Sequence, residues 1–161
     1  MEQNGKRDLR AFMRESAKTE EIVTAVGPAT ILGEDGKPIM LEIRVLRDDT
    51  LQRINEAYRK KTIATDKKGN PYIANGEVAF KVERDHLRAS RHIIAEALVH
   101  PNLKDPELMA YFDCHDITEM PLKVFSRAEY KHVNRAVTAA LGLAGEPAED
   151  ETDGELEEAK N

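Results

Sequence analysis

The residues with the greatest chemical capacity in this sequence are a cysteine and its two neighbours. Cys114 is followed directly by His115 and Asp116, the residue types that build activated cysteine nucleophiles. An activated thiol needs a base that the fold holds beside it, and a run of three consecutive residues does not supply that arrangement. A buried, unreactive cysteine is the commoner alternative. We therefore expect no catalytic role for Cys114.

Metal and phosphate chemistry have equally weak support in the sequence. Zinc sites need His, Cys, Asp or Glu at converging positions, and no two of the five histidines stand four residues apart. The histidines are His86, His92, His100, His115 and His132. The stretch 33–37 lacks the spacing and the terminal Gly-Lys-Ser/Thr of a phosphate-binding loop, so it predicts a hairpin turn. The sequence indicates a protein without a cofactor, a metal site or enzymatic activity.

A row of arginines is the third candidate for chemistry. Arg84, Arg88 and Arg91 recur at spacings of three and four residues, which places them on one face of a helix. Such a face could contact the phosphates of a nucleic acid. Strong nucleic-acid binders are usually basic overall, whereas residues 1–144 are nearly neutral and Glu83, Asp85 and Glu96 dilute the basic face. A small DNA-binding or regulatory protein is therefore the alternative function, and nucleic acid is not the favoured partner.

The negative charge is concentrated at one end of the chain. Residues 145–161 contain eight acids and one base, a net charge of −7, so residues 1–144 carry the remaining +1 of the total of −6. The acidic segment has almost nothing to bury, and that composition is typical of disorder. We expect a single α+β domain over residues 1–144 and a disordered acidic tail over residues 145–161.

Other bulk features favour a soluble protein in a reducing compartment. A single cysteine excludes an intramolecular disulfide. The first ten residues are polar and do not resemble a signal peptide. No apolar run approaches the roughly 20 residues that span a bilayer. We expect a cytoplasmic location and no association with membranes.

Residues 20–82 are predicted to be rich in hairpins. After a short helix over residues 8–18, two apolar segments at 22–26 and 39–45 flank the turn-rich stretch 33–38, which predicts an antiparallel hairpin. A helix capped by Asp48 or Asp49 follows and ends near residues 59–61. A second hairpin is predicted from Tyr72 to Val82. Its turn is Asn75-Gly76, the pair favoured in type I′ turns, and its inward side chains are Val78, Phe80 and Val82.

Residues 83–144 are predicted to be helical. An amphipathic helix starts near Arg84, buries Leu87 among other residues, and ends because Pro101 disfavours helix at the preceding residue. Asp105 is placed to cap the next helix, with Pro106 at its first position. After a brief further helix, Ser126 and Glu129 form a capping box, and Gly142 has the position of a Schellman stop.

Several of these segments, in this order, resemble the XkdN-like tail assembly chaperones that phages and prophages of Gram-positive bacteria encode. The most characteristic one is the succession V-x-P-x-L-x-D-x-E-L, which runs here from Val99 to Leu108. The remaining segments are the turn and strand 34–44, the basic residues 59–61, and the last helix around Glu129-Tyr130 that ends at Gly142. The resemblance covers about residues 34–143.

The resemblance implies an assembly factor without enzymatic activity that is absent from the finished virion and acts in the cytoplasm of the bacterial host. The implied partners are the tape measure protein and the tail tube protein, with self-association as a further possibility. Such a factor would bind the helical tape measure protein and help to deliver tube subunits around it.

A chaperone of this kind needs an exposed apolar surface, and large apolar residues are dense between Leu108 and Tyr130. Short helices interrupted by proline cannot bury all of them on one face, and Met and aromatic side chains adapt to varied clients. The alternative is that all of them serve the core. The candidate partner-binding residues are Leu108, Met109, Tyr111, Phe112, Leu122 and Phe125.

Overall fold

The computed structural model describes residues 9–13 and 20–143, and it has the predicted α+β class. The strands are β1 (Ile22–Val26), β2 (Met40–Arg44), β3 (Arg59–Ile63), β4 (Ile73–Ala74), β5 (Glu77–Val78), β6 (Phe80–Arg84) and β7 (Leu98–His100). The helices are α1 (Asp48–Ala57), α2 (His86–Ala97), α3 (Pro106–Tyr111), α4 (Met120–Val124) and α5 (Arg127–Ala140). The acidic segment 145–161 lies outside the described residues.

The first predicted hairpin is confirmed. β1 and β2 pair antiparallel, with Val26 opposite Met40 and Ile22 opposite Arg44. The alternation along β2 turns Leu41 and Ile43 inward, and both are fully buried. Residues 9–12 form a short 3-10 turn with exposed side chains, while the rest of the predicted helix 8–18, apart from residue 13, lies outside the described residues.

The second edge of β2 is occupied by β7, which gives a three-stranded sheet in the order β1-β2-β7. Sequence reasoning was wrong here, because it continued the central helix through Leu98 and placed residues 83–144 in helices alone. The helix ends at Ala97 and Leu98 is already extended. Leu98 pairs with Ile43 and His100 with Glu42, so the backbone groups released at the helix end are satisfied by the sheet.

The second hairpin is also confirmed, and it is longer than predicted. β4 and β5 meet at Asn75-Gly76, whose φ angles of 53° and 79° fit a type I′ turn. β3 and β6 then pair along five residues each, so residues 59–84 form one β structure, called the arm below. The prediction of a helix end at residues 59–61 was wrong, because these residues belong to β3. The remaining residues, 20–58 and 85–143, are called the body.

The core lies in the body, between its sheet and helices α1, α2, α4 and α5. α5 contributes Val133 and Val137, both fully buried, as its predicted stripe requires. α2 is rotated from the predicted orientation: Leu87 is 74% exposed and Ala89 is buried instead. The buried apolar cluster consists of Leu41, Ile43, Leu46, Leu51, Ile94, Ala95, Ala97, Leu98, Leu103, Cys114, Met120, Phe125, Val133 and Val137.

Both predicted boundaries of α5 are confirmed. The Ser126 hydroxyl and the Glu129 carboxylate form the reciprocal capping box of α5. At its other end, Gly142 has a φ of +70°, and the Leu143 amide donates to the Thr138 carbonyl at 2.8 Å. The predicted cap of α1 was wrong: Arg47 occupies that position, and no side chain caps the helix.

Candidate partner-binding site

The predicted site is organised by the short helix α3. Its first turn is fixed by the Asp105 carboxylate, which accepts hydrogen bonds from the amides of Glu107 (2.9 Å) and Leu108 (3.1 Å). Pro106 follows at a position where its missing amide hydrogen costs nothing. The helix then presents Tyr111 outward, with 81% of its surface exposed. The cap therefore sets which side chains this corner of the body displays.

A shallow surface depression lies along α3. It has a volume of about 330 Å³ and is lined by Asp105, Glu107, Leu108 and Tyr111. Leu108 forms its apolar side, since this residue packs partly against the core. Tyr111 stands at the edge with its ring in edge contact with Phe112, at 4.9 Å between ring centres and an angle of 84°. The depression thus combines an apolar wall, an aromatic ring and two carboxylates.

The six predicted residues do not have equal access to a partner. Tyr111 and Leu122 are exposed, Leu122 to 49%. Leu108, Met109 and Phe112 are partly buried and pack against the core. Phe125 is only 4% exposed and belongs to the core itself, because the chain bends inward between α4 and α5. The structure therefore leaves Tyr111 and Leu122 as the most accessible of the six.

The segment between α3 and α4 is held by the arginines of α2. The Arg88 guanidinium pairs with the Asp116 carboxylate at 3.0 Å, and Arg91 Nε donates to the Thr118 carbonyl at 2.8 Å. The Thr118 hydroxyl and amide also donate to Asp116, at 2.7 and 2.9 Å. These bonds from Thr118, followed by the charge of Arg88, lower the pKa of Asp116 from its ordinary value.

The cysteine and histidine of this segment point apart. The Cys114 thiol is buried and donates to the Asp116 carbonyl at 3.3 Å. The side chain of His115 is 93% exposed and lies 3.7 Å from the Asp113 carboxylate. A thiolate could not be generated by a ring that faces solvent while the sulfur faces the core. Across residues 9–13 and 20–143, no group of three His, Cys, Asp or Glu side chains is arranged to hold a metal ion.

Comparison with protein families identifies the chain. The family model of the phage XkdN-like tail assembly chaperone proteins matches residues 9–160, which is nearly the whole sequence. The chain belongs to this family. The resemblance seen in the sequence is thereby confirmed, and the chaperone is expected to interact with phage tail proteins.

The fold of this chaperone is also found in a solved protein. The crystal structure of the protein YqbN superposes with a TM-score of 0.61 over 83% of this chain and 96% of that chain, at 16% sequence identity. At this identity the likeness shows a shared fold. Comparison with curated proteins gives no match.

The arginines proposed for nucleic acid have partners within the chaperone. Arg84 lies 3.7 Å from the Glu56 carboxylate, and Arg88 also stacks over the Tyr58 ring, 5.6 Å from its centre. The Arg91 guanidinium adds a contact of 3.4 Å with Glu119. These guanidinium groups join α1, α2 and the segment before α4. Contact with phosphates would have to compete with those bonds, so the structure gives the nucleic-acid alternative no further support.

Sequence reasoning missed the apolar surface of the arm. Val78, Phe80 and Val82 were predicted to face inward, but they are 42%, 56% and 55% exposed. The period-two alternation was read correctly, and the inference that its apolar face is covered was wrong. No described element packs over this face in the way that the helices of the body cover β2. The local sequence does not indicate whether another element packs over this apolar face.

The helices of the chaperone include no membrane-spanning segment. Among the described residues, none combines the length and the apolar character needed to cross a bilayer.

Proposed function

We propose that this chaperone binds the tape measure protein and assists assembly of the tail tube around it. The observation that carries the proposal is the family match over residues 9–160. The tape measure protein is the partner that the resemblance implies, and the tail tube protein is the second. Self-association remains part of the proposal. The role implies action in the cytoplasm of the bacterial host and absence from the finished virion.

The surface that we assign to the tape measure protein consists of the depression along α3 and the exposed Leu122 of α4. A helical client presents apolar side chains at intervals of three and four residues. Leu108 and Tyr111 provide an apolar and aromatic contact surface for one such side chain of the client, and the exposed Leu122 provides another contact. Aromatic residues that are exposed in the free protein and buried on binding frequently dominate interface energies.

The proposed role requires no catalysis. The described thiol is buried against a backbone carbonyl. Among the described carboxylates with lowered pKa values, Asp116 and Glu129 owe the shift first to hydrogen bonds from Thr118 and from the Ser126 amide, respectively. Both carboxylates therefore have structural roles in capping and in fixing a loop. Exposed apolar residues such as Tyr111 and Leu122, in contrast, support a binding role.

Capture of a tape measure fragment by exposed-residue variants tests the proposal. Tyr111→Ser and Leu122→Ser should keep the thermal midpoint, because both side chains are exposed, and should weaken capture at least about tenfold, which is the loss of one interface anchor of about 1.4 kcal/mol. The matched control is Tyr72→Ser, which removes a 54% exposed tyrosine on the arm. It should leave capture unchanged.

Three results would count against the proposal. Failure of the unmodified chain to bind any tape measure fragment would show that the tape measure protein is not the partner. Full capture by the Tyr111 and Leu122 variants would remove the assigned surface. Loss of capture with Tyr72→Ser alone would move the client site from α3 to the arm.

A further inference from the structure

The arm carries an apolar face that no described residue covers. In an antiparallel pair, directly opposed residues project to the same side. Ile63 lies opposite Phe80, and Lys61 lies opposite Val82, so these four side chains share one face. Ile63, Phe80 and Val82 are each about half exposed. A contiguous exposed patch of this kind is the usual mark of an interaction site.

The same arm is the most basic part of the described chain. Residues 59–84 contain seven Lys or Arg and three Asp or Glu, a net charge of +4. Because residues 1–144 sum to +1, the rest of that span carries −3. The ammonium group of Lys61 lies over the Phe80 ring, 5.3 Å from its centre, so positive charge borders the apolar face directly. An occupant should therefore be acidic and carry an apolar side chain.

Part of this positive charge is already neutralised and part is not. Glu56 lies between Arg59 and Arg84 at the base of the arm, at 2.8 and 3.7 Å, and Lys81 pairs with Glu83 at 2.8 Å. Among the described residues, the ion pairs do not include four exposed lysines of the arm. They are Lys60, Lys61, Lys67 and Lys68.

The chain itself contains a segment of the required chemistry. Residues 145–161 carry −7, and Leu156 is flanked by Glu155, Glu157 and Glu158. We propose that this acidic segment docks on the arm, with Leu156 against the face of Ile63, Phe80 and Val82 and the glutamates against the unpaired lysines. Docking covers the exposed apolar patch and restrains association between arms of different copies. It is independent of the site assigned to the tape measure protein.

The length of the segment allows this contact. Eighteen residues follow Leu143, the last described residue, and an extended chain of that length spans up to about 60 Å. A domain of about 120 residues has a radius of gyration near 14 Å. The tail therefore reaches any part of the surface, and charge rather than reach selects the arm. Tethering also raises the local concentration of the acidic segment to about the millimolar range.

Zero-length carbodiimide cross-linking of the full chain tests the proposal. The reagent couples a carboxylate to a lysine amine in contact with it, with loss of water, and peptide mapping locates the bond. We expect cross-links from residues 145–161 to the lysines of the arm at about 0.01 M salt, and their loss at about 1 M salt, since the Debye length falls from about 30 to about 3 Å. A mixture of ¹⁵N-labelled and unlabelled chains separates bonds within one molecule from bonds between two.

Two variants of the tail separate specific docking from charge attraction. Leu156→Ser keeps every charge and removes the apolar contact, so it should lower the yield of tail-to-arm cross-links several-fold. The matched control, Ala148→Ser, changes an apolar residue of the same segment away from Leu156 and should leave the yield unchanged. A thermal melt of both variants checks that the body is intact.

The remaining outcomes overturn the proposal. Cross-links mainly to Lys123 and Lys131, on α4 and α5, would show that the tail contacts the described lysines nearest to it in sequence. Cross-links mainly between labelled and unlabelled chains would make a second copy the occupant. An absence of tail-to-arm cross-links, or equal yields for Leu156→Ser and Ala148→Ser, would also contradict the assigned contact.

Discussion

Strands β2 and β6 alternate apolar and polar residues in the same way, but their surroundings differ. β2 has Leu41 and Ile43 on one face, and both are fully buried beneath the helices of the body. β6 has Phe80 and Val82 on one face, and both are more than half exposed. An alternating pattern therefore specifies pairing and sidedness, while burial depends on whether another element packs over the apolar face. The body meets that condition and the arm does not.

The largest difference in unfolding free energy between the body and the arm is expected when one isoleucine is truncated in each. Ile43→Ala removes a fully buried side chain from β2 and should cost about 2–5 kcal/mol, since it leaves a cavity. Ile63→Ala removes a side chain that is 49% exposed on β3 and should cost less than about 1 kcal/mol. Urea unfolding measures both. Equal costs would contradict the comparison, because Ile63 would then be packed as fully as Ile43.

Two of the four described glycines with positive φ, Gly142 and Gly76, give the next largest expected difference. Gly142 ends α5 at a φ of +70°, and Gly76 completes the turn of the arm at +79°. An added Cβ meets no atom at either position, so Gly→Ala acts through backbone strain of about 1–2 kcal/mol. Gly142→Ala should lower the stability of the body. Gly76→Ala should accelerate amide exchange in the arm and leave the thermal midpoint of the body in place.

A smaller effect is expected from side chains that bond to backbone amides. Ser126→Ala removes the capping box of α5 and should cost about 1 kcal/mol of unfolding free energy. Its counterpart in the arm is Asp66, whose carboxylate accepts from the amides of Lys68 and Asn70 at 2.9 Å each. Asp66→Ala should loosen that turn without lowering the melting temperature. A global loss with Asp66→Ala would show that the two regions unfold together.

The smallest expected effect is on the loss of stability at acidic pH. Hydrogen bonds from Thr118, followed by Arg88, lower the pKa of Asp116 in the body, and bonds from Arg59 lower that of Glu56 at the base of the arm. A carboxylate with a depressed folded pKa stabilises the fold above its ordinary value, and this stability is lost as the pH falls through the depressed value. Asp116→Asn should therefore flatten the fall in stability below about pH 4.

Glu56→Gln is the matched control for the acid experiment. It should alter the contact between arm and body and leave the acid midpoint of the body unchanged, because Glu56 bonds only to Arg59 and Arg84 among the described ion pairs. Melting curves between about pH 6 and pH 3 compare the two variants. A steeper dependence with Asp116→Asn than with the unmodified chain would contradict the assigned cause.

Much of the local structure was predictable because its causes are local. Asn75-Gly76 favours a type I′ turn, Asp105 bonds to amides two and three residues away, and Gly142 adopts a left-handed backbone at low cost. The family signature around Pro101 also lies within one short segment of the sequence. Of the six candidate residues for a partner, three lie on α3 and one on α4, while Phe112 and Phe125 directly follow these helices. Their exposure was not predictable, since Tyr111 and Phe125 are both aromatic and have opposite surroundings.

The sequence by itself determined the two hairpins, the caps of α3 and α5, the concentration of acid after residue 144 and the family. The tertiary structure alone decided that Leu98 to His100 join β2, because that pairing links residues more than 50 positions apart. It decided that Arg88 and Arg91 bind the segment before α4 instead of facing solvent. It also decided that one apolar strand face is covered and another is not. Contacts between distant segments control all three, and no periodicity within a single segment encodes them.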